Sequence, residues 1–387
     1  AITVYGPSAL FTSDIKNERK REFEVGFDTR WFEKKPLVAE FSYYTSHTYD
    51  QIMGLGITPA SGFSTIKINA GDVKNWGYEL LLKYTPVKKG MLTWDVTFTT
   101  ANQRTKVIKL YPGITEYRIS GSNSYSIMAV EGKPIGDVQM YDYLRDQQGN
   151  KVVSSTGLWV RDNSKFITAA NINPNFIGGF TTDLYYGKVS LHLGFDYKFG
   201  GTFLSHTNYY LLGNGQNVES LKYRDEAHGG MAYYVDDATG KRVSWQHNQA
   251  APAGARDNMV YHDGLILDGV KEVSDGVYQP NDIIITAFEY WTTFIQDMNE
   301  WFAPDRLYKN DYVKFREAAL MYTIPQQISG KLKLQKVTLS LVARNILYIY
   351  KTMPNIDPES LLGNDQFVEY TPLPQLRSYG FKIDVSF

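Results

Sequence analysis

Six aromatic residues in two clusters, Tyr141, Tyr143 and Trp159, and Tyr290, Trp291 and Trp301, are the side chains best suited to holding a ligand. Flat amphipathic rings stack on sugar faces or pack against peptide side chains, and the same rings serve to pack a loop core or a partner surface. The sequence leaves both roles open. Covalent chemistry has no comparable constellation: there is no Gly-x-Ser-x-Gly, no His-Glu-x-x-His and no Gly-x-x-x-x-Gly-Lys-Ser/Thr, and Gly132-Lys133 runs into Pro134 rather than a phosphate loop. His47, His192, His206, His228, His247 and His262 show no i, i+4 pairing and read as surface or lumen residues. Asp236-Asp237-Ala238-Thr239-Gly240 lacks the alternating oxygen ligands and closing Glu of a calcium loop and reads as a solvated turn. With no cysteine, disulfides, thiolate metal sites and Cys nucleophiles are excluded. The expectation is a binding protein with no catalytic residue, metal or cofactor.

The elements that position these rings follow from period-two alternation, which puts successive side chains on opposite faces of a strand. Nine segments alternate, near 20–31, 36–49, 75–85, 91–103, 175–186, 188–200, 311–323, 336–347 and 379–387. The first sets Phe23, Val25, Phe27, Thr29 and Trp31 against Glu22, Glu24, Asp28 and Arg30. Charges this dense on one face need water. In the sixth, Val189, Leu191, Leu193, Phe195, Tyr197 and Phe199 oppose Ser190, His192, Asp196 and Lys198. The seventh is ambiguous in phase, because Lys314 and Arg316 share a face with Leu320 and Tyr322. Most of these segments exceed the five or six residues common in soluble strands and suit a tilted bilayer crossing of about 9 to 11 residues.

Connection lengths alternate as well. Short links at 32–36, 86–90 and 187–188, and a moderate one at 324–335, alternate with long segments near 50–74, 104–174, 201–309 and 348–375. Short turns on one side and long loops on the other are the pattern of an outer-membrane barrel, whereas a soluble sandwich has no reason to treat its two ends so differently. Alternation on one or two strands alone would mean a half-buried soluble sheet. Composition agrees with the barrel: aromatics are 14%, rich in Tyr, and Lys+Arg (40) nearly cancels Asp+Glu (41), which removes the electrostatic case for a nucleic-acid partner. Mean hydropathy is −0.33, and no run approaches the roughly 18 apolar residues of a membrane helix, so a crossing must be by strands in contact with outer-membrane lipid. No signal peptide is visible at the N-terminus.

The segment 379–387 places Tyr379, Phe381, Ile383, Val385 and Phe387 on one face. It resembles the last strand of bacterial outer-membrane barrels, and Tyr379, Phe381 and Phe387 then read as the C-terminal barrel-assembly signal. If that strand ends in the periplasm, the first, third, fifth and seventh strands also run downward, and Trp31, Tyr84, Tyr186 and Phe387 fall at the periplasmic aromatic girdle. Nine antiparallel strands do not close an even-numbered barrel, so residues 1–387 are expected to be the C-terminal part of a larger one.

Several phrases, in order, resemble the SusC/RagA-like TonB-dependent transporters of the Bacteroidetes outer membrane. They are Asn75-Trp76-Gly77-Tyr78-Glu79, Trp94 followed by Asn102 and Val107–Leu110, Glu131-Gly132-Lys133-Pro134-Ile135-Gly136, and Gly178-Gly179-Phe180. Asp311-Tyr312-Val313-Lys314-Phe315-Arg316 through Pro325, Ala343-Arg344-Asn345-Ile346-Leu347, Pro354-Asn355-Ile356-Asp357-Pro358-Glu359 and Pro374 to Phe387 continue the series. The match runs from about residue 16 to the end. It implies an all-β, transmembrane antiparallel barrel of 22 strands, of which these nine would be strands fourteen to twenty-two. It further implies a plug domain and earlier strands upstream, energy coupling through the TonB complex, and a SusD-like lid lipoprotein. Import of an oligosaccharide or peptide ligand follows, and a dimer of transporter–lid pairs is allowed. A passive porin or structural outer-membrane barrel is the alternative.

Overall fold

Charged residues facing one way and apolar residues the other force a strand to lie flat in a sheet with a wet and a greasy side. The computed structural model describes residues 9–11, 14–33, 35–56, 65–122, 124–294, 304–353, 355–361, 367–370, 373 and 375–387. Nine long strands form one sheet in chain order, each antiparallel to the next. They are β1 (Arg19–Trp31), β2 (Leu37–Gly56), β3 (Thr65–Lys89), β4 (Leu92–Leu110), β5 (Pro174–Tyr186), β6 (Val189–Gly200), β7 (Tyr312–Thr323), β8 (Lys336–Lys351) and β9 (Ser378–Ser386). Every alternating segment of the sequence is one of these strands. A short strand, Ala9–Phe11, pairs in parallel with the start of β3.

Register carries the apolar face from strand to strand. Phe27 opposes Phe41, Phe41 opposes Leu80, Phe98 opposes Phe180, and Phe180 opposes Phe195. Cross-strand rings touch along this face, with centroids 5.6 Å apart for Phe27–Phe41 and 4.7 Å for Phe195–Phe315. Phe23, Phe27, Leu341, Phe381 and Ile383 are more than half exposed, which suits a belt whose solvent is lipid. Opposite them, Asp28, Glu40, Ser42, Glu79 and Asp196 border a cavity of about 690 Å³.

Three local features differ from the sequence expectation. The long connection expected near 50–74 is largely strand, because β2 runs on to Gly56 and β3 begins at Thr65. Residues 86–89 belong to β3 rather than to a turn. Pro86 has no N–H to give the ladder, so the chain takes a bulge between Tyr84 and Val87, and the link shrinks to Gly90-Met91. The ambiguous phase of β7 also has a physical cause. Gly194 and Phe195 of β6 face Glu317 and Phe315, which leaves Arg316 as the extra residue of a bulge. Across that bulge the apolar face switches from Leu320 and Ala318 to Phe315 and Val313, and Lys314 and Arg316 turn to the polar side. The strands β2, β3 and β4 have 20, 25 and 19 residues, far more than a bilayer needs, so their ends stand well clear of the hydrocarbon.

The long connections are folded. Residues 116–171 hold a four-stranded sheet, and a second four-stranded sheet lies between β6 and β7. Val152–Val153 of the first connection pairs in parallel with Val270–Ser274 of the second, and Thr202–Ser205 pairs in parallel with Val368–Glu369 of the third. One apolar core is shared by all three: Tyr125, Ile127, Val138, Met140 and Tyr143, then Leu204, Tyr209, Leu212, Ala287 and Trp291, then Phe367. This shared core welds the loops into one cap.

Two glycines of the sequence phrases are explained by close approach. A Cβ on Gly77 would fall on the Asn102 carbonyl and lie 2.7 Å from the Tyr44 hydroxyl; one on Gly178 would fall on the Thr99 carbonyl and lie 2.6 Å from the Tyr197 hydroxyl. Each glycine is thus the floor under a cross-strand tyrosine. Gly77→Ala and Gly178→Ala are expected to cost about 1–3 kcal/mol or more by overpacking. Gly380→Ala, where nothing among the described residues lies within 4 Å of a Cβ, should be neutral. Urea unfolding and the heat-modifiable mobility of the folded protein on semi-native gels measure the contrast.

Candidate functional site

The five described aromatics of the two clusters lie in the loop cap, and Trp301 lies outside the described residues. In the strand Asp137–Tyr143, Tyr141 is half-buried and Tyr143 buried although they are two residues apart, and the pairing with the strand Arg161–Asn171 shifts register between them. Tyr143 is buried in the shared core, its ring 5.2 Å from that of Trp159, and its hydroxyl donates to Asp305 Oδ1 at 3.0 Å. Burial first, and then the Asp305 carboxylate, push the Tyr143 hydroxyl far above its ordinary value, so it stays protonated as a donor. Lys151 Nζ sits 3.9 Å from the Tyr143 ring centre and 3.8 Å from that of Trp159, and 3.4 Å from Asp305 Oδ2. A cation held between two rings and a carboxylate is a strong positioning device. Trp159 is half-buried, its indole N–H donating to the Asp268 carbonyl at 2.7 Å.

Tyr141 is half-buried, stacked on Phe166 at 4.3 Å with the Arg161 guanidinium 4.8 Å above it. Tyr290 and Trp291 meet edge-on at 4.8 Å. Trp291 is 2% exposed and donates to the Lys222 carbonyl at 2.9 Å, while the Tyr290 hydroxyl accepts from Arg306 Nη2 at 2.8 Å. Tyr143 and Trp291 therefore pack the cap. Tyr141 and Trp159, each half-buried with a cation at its ring, and Tyr290 beside Arg306 are the members of the two clusters that reach toward its surface.

A second assembly was not legible as a unit in the sequence. The bulge in β7 aims Lys314 and Arg316 at the connection between β8 and β9, where Glu359 pairs with both. Arg316 also pairs with Asp196 of β6 and donates to Asn345 Oδ1 at 2.9 Å; Asn345 itself has a left-handed φ of 52°. Lys314, only 2% exposed, donates further to Gln375 Oε1 at 2.8 Å and to the Tyr348 hydroxyl at 3.2 Å. Tyr348 donates to Asp357 Oδ1 at 2.5 Å, and Asp357 Oδ1 and Oδ2 accept the backbone N–H of Glu359 and Gln375. Residues from four separate sequence phrases, Lys314 and Arg316, Asn345, Asp357 and Glu359, and Gln375, thus meet in one largely half-buried polar knot around the buried Lys314, which ties the last long connection to the wall. Burial raises the Glu359 carboxyl, but hydrogen bonds and charge from Arg316 and Lys314 outweigh it and bring it down to about 2.

The structure also joins two histidines that spacing kept apart: His247 Nδ1 and His262 Nδ1 are 3.0 Å from each other, 15 residues apart in the chain. No local pattern could have signalled it.

Glu359→Gln is expected to leave Lys314 buried without its countercharge, at a cost of about 3–5 kcal/mol in urea unfolding. The wild-type carboxylate is lowered in the folded state, so its stabilisation is complete above pH 4.5 and drains away as pH falls toward 2. The variant should lack this component of the acid slope, and equal slopes for the two proteins would refute the assignment.

No family model matches the chain. Over 97% of its length it is 22% identical to TonB-dependent receptor P3 of Formosa agariphila, of which it covers 35%. It is 25% identical to TonB-dependent receptor P39 of the same organism over 46% of the chain and 15% of that protein. Among solved structures, the RagAB peptide importer in the closed-closed state superposes with a TM-score of 0.64 at 19% identity, covering 96% of the chain and 35% of that one. The RagAB peptide transporter gives 0.62 at 18% identity over the same shares. The chain therefore spans about a third of the length of the curated relatives it matches most fully. These likenesses and the nine-stranded meander agree: the chain is SusC/RagA-like in fold, similar in sequence to TonB-dependent receptors over nearly its whole length, and resident in the bacterial outer membrane as transmembrane β-barrel wall.

Proposed function

We propose that this chain supplies the C-terminal wall and loop cap of an energy-coupled importer that takes up oligosaccharides or peptides across the outer membrane. The observation that carries the reading is the likeness to a TonB-dependent receptor along 97% of the chain, joined to a cap whose three long connections share one core. In the bilayer the outer edges of β1 and β9, which are not paired with each other among the described residues, require strand partners. The earlier strands of a 22-stranded barrel provide them, with residues 1–387 as strands fourteen to twenty-two and a plug domain upstream.

Ligand binds beneath a SusD-like lid lipoprotein, between the loops and the plug, and the TonB complex drives its release inward. Within this chain the half-buried rings of Tyr141, Trp159 and Tyr290 take the ligand contacts, Arg161 and Lys151 add charge beside the rings, and Tyr143 and Trp291 hold the cap that presents them. The barrel performs no bond chemistry.

Removal of the whole gene, or inactivation of TonB, should abolish growth on the cognate oligosaccharide or peptide, and growth that survives TonB loss would favour a passive porin. In the intact transporter, Tyr141→Ala with Trp159→Ala should weaken ligand binding by about 1–3 kcal/mol in isothermal titration, measured where the semi-native gel mobility shows the variant folded. Unchanged affinity would remove these two residues from the ligand site.

A further inference from the structure

The connection between β6 and β7 brings together three side chains that the import reading does not use. Glu226 lies on a short turn, Glu226–His228; His247 follows the strand Arg242–Ser244; His262 lies on the strand Tyr261–Leu265. His247 Nδ1 is 3.0 Å from His262 Nδ1 and 3.3 Å from Glu226 Oε2, and one donor atom from each of the three residues falls within 4.8 Å of the others. The two half-buried imidazoles stack with their planes 21° apart, and the exposed carboxylate closes the group toward solvent.

Their supports are fixed. Asp225 accepts the His228 N–H and caps the turn that carries Glu226. The strand of His262 pairs with Met231–Val235, and Gly230 lies so close under the His262 carbonyl that any side chain there would collide. On the His247 side, the Trp245 N–H donates to the Ala232 carbonyl and its indole to the Ala250 carbonyl, which brackets the histidine from both ends.

We propose that Glu226, His247 and His262 form a binding site for a divalent transition-metal ion, with Zn²⁺ the best fit. Zinc takes imidazole nitrogen at about 2.0–2.1 Å and carboxylate oxygen at about 2.0–2.2 Å, which in a tetrahedron separates neighbouring donors by about 3.3 Å. The two separations from His247, 3.0 and 3.3 Å, need a few tenths of an ångström of adjustment or none, and the third, between Glu226 and His262, closes from within 4.8 Å. Nitrogen donors select against Ca²⁺ and Mg²⁺, which take oxygen ligands. A metal-free pair shares one proton between the two Nδ1 atoms; on binding, both Nδ1 lone pairs go to the ion and each ring carries its proton on Nε2. Three protein ligands leave a fourth position for water. The bound ion would rivet the Glu226 turn to the sheet of the cap.

The test uses the full-length protein in detergent after chelator treatment, titrated with Co²⁺ and then Zn²⁺. One equivalent of Co²⁺ should give the visible bands of a tetrahedral nitrogen–oxygen site, bleached by one equivalent of Zn²⁺. His247→Gln and His262→Gln should each weaken Zn²⁺ binding roughly tenfold or more in competition with a chromophoric chelator. His228→Gln, on the same turn but outside the trio, should bind as wild type does. Equal Zn²⁺ affinity in wild type and the two His variants, or an equal loss in His228→Gln, overturns the assignment.

Discussion

A bilayer offers no water to an unpaired backbone, so each peptide group of a chain that crosses it by strands must find its partner on a neighbouring strand. The nine-stranded meander follows from that constraint. Each strand can pair only with its sequence neighbours when links on one side are two to a dozen residues, and register is then pinned by the apolar face. A one-residue slip would turn Phe27, Phe41 and Leu80 to the polar side and put Asp28, Glu40 and Glu79 into lipid. That penalty is far larger than any single contact in the sheet, and it explains why the pairing tolerates bulges but not slips.

Bulges are where the wall gains chemistry. One extra residue at Arg316 lets β7 keep Leu320 and Phe315 on the lipid face while its cations turn inward together. Lys314 and Arg316 would repel each other if left alone. Glu359 and Asp196 neutralise them, and the pairing holds Glu359 and its segment against the wall. The fold thus uses a backbone irregularity to build a buried ion cluster, and the cluster in turn fixes one long loop. Neither feature is independent of the other: an unbulged β7 would point Arg316 and Lys314 away from Glu359 or else expose apolar side chains to the lumen.

What could be read from the sequence divides along the same line. Strands dominated by one constraint, such as β1 and β6, announce themselves by alternation, and all nine fall where the pattern puts them. The phase of β7 was unreadable because a bulge breaks the period in mid-strand. The link at 86–90 was misplaced because Pro86 and two lysines imitate a turn, while the ladder absorbs the proline in a bulge. The polar knot and the Glu226–His247–His262 group depend on contacts such as His247 with His262, 15 positions apart, and Arg316 with Asp196, 120 apart, and such contacts leave no local period. Aromatic clustering at 141–159 and 290–291 fell within the loop cap but could not separate Tyr143 and Trp291, which pack the cap, from the half-buried Tyr141 and Trp159. Burial decides between those roles, and burial is a property of the assembled loops.

The cap itself changes how the long connections should be viewed. Loops of this length, if independent, would each lose conformational entropy on meeting a ligand, and recognition would weaken accordingly. Here that entropy has already been spent in folding, because a core of side chains from three connections, Ile127 and Met140 with Leu212 and Trp291 and with Phe367, holds them as one body. The parallel pairings of Val152–Val153 with Val270–Ser274 and of Thr202–Ser205 with Val368–Glu369 cross-link the same three connections through their backbones. The rings and cations of this surface are therefore already set in place, with Lys151 held between two aromatic faces and Asp305. The charged knot around Glu359 is the tie that fastens the last of the three connections to the wall.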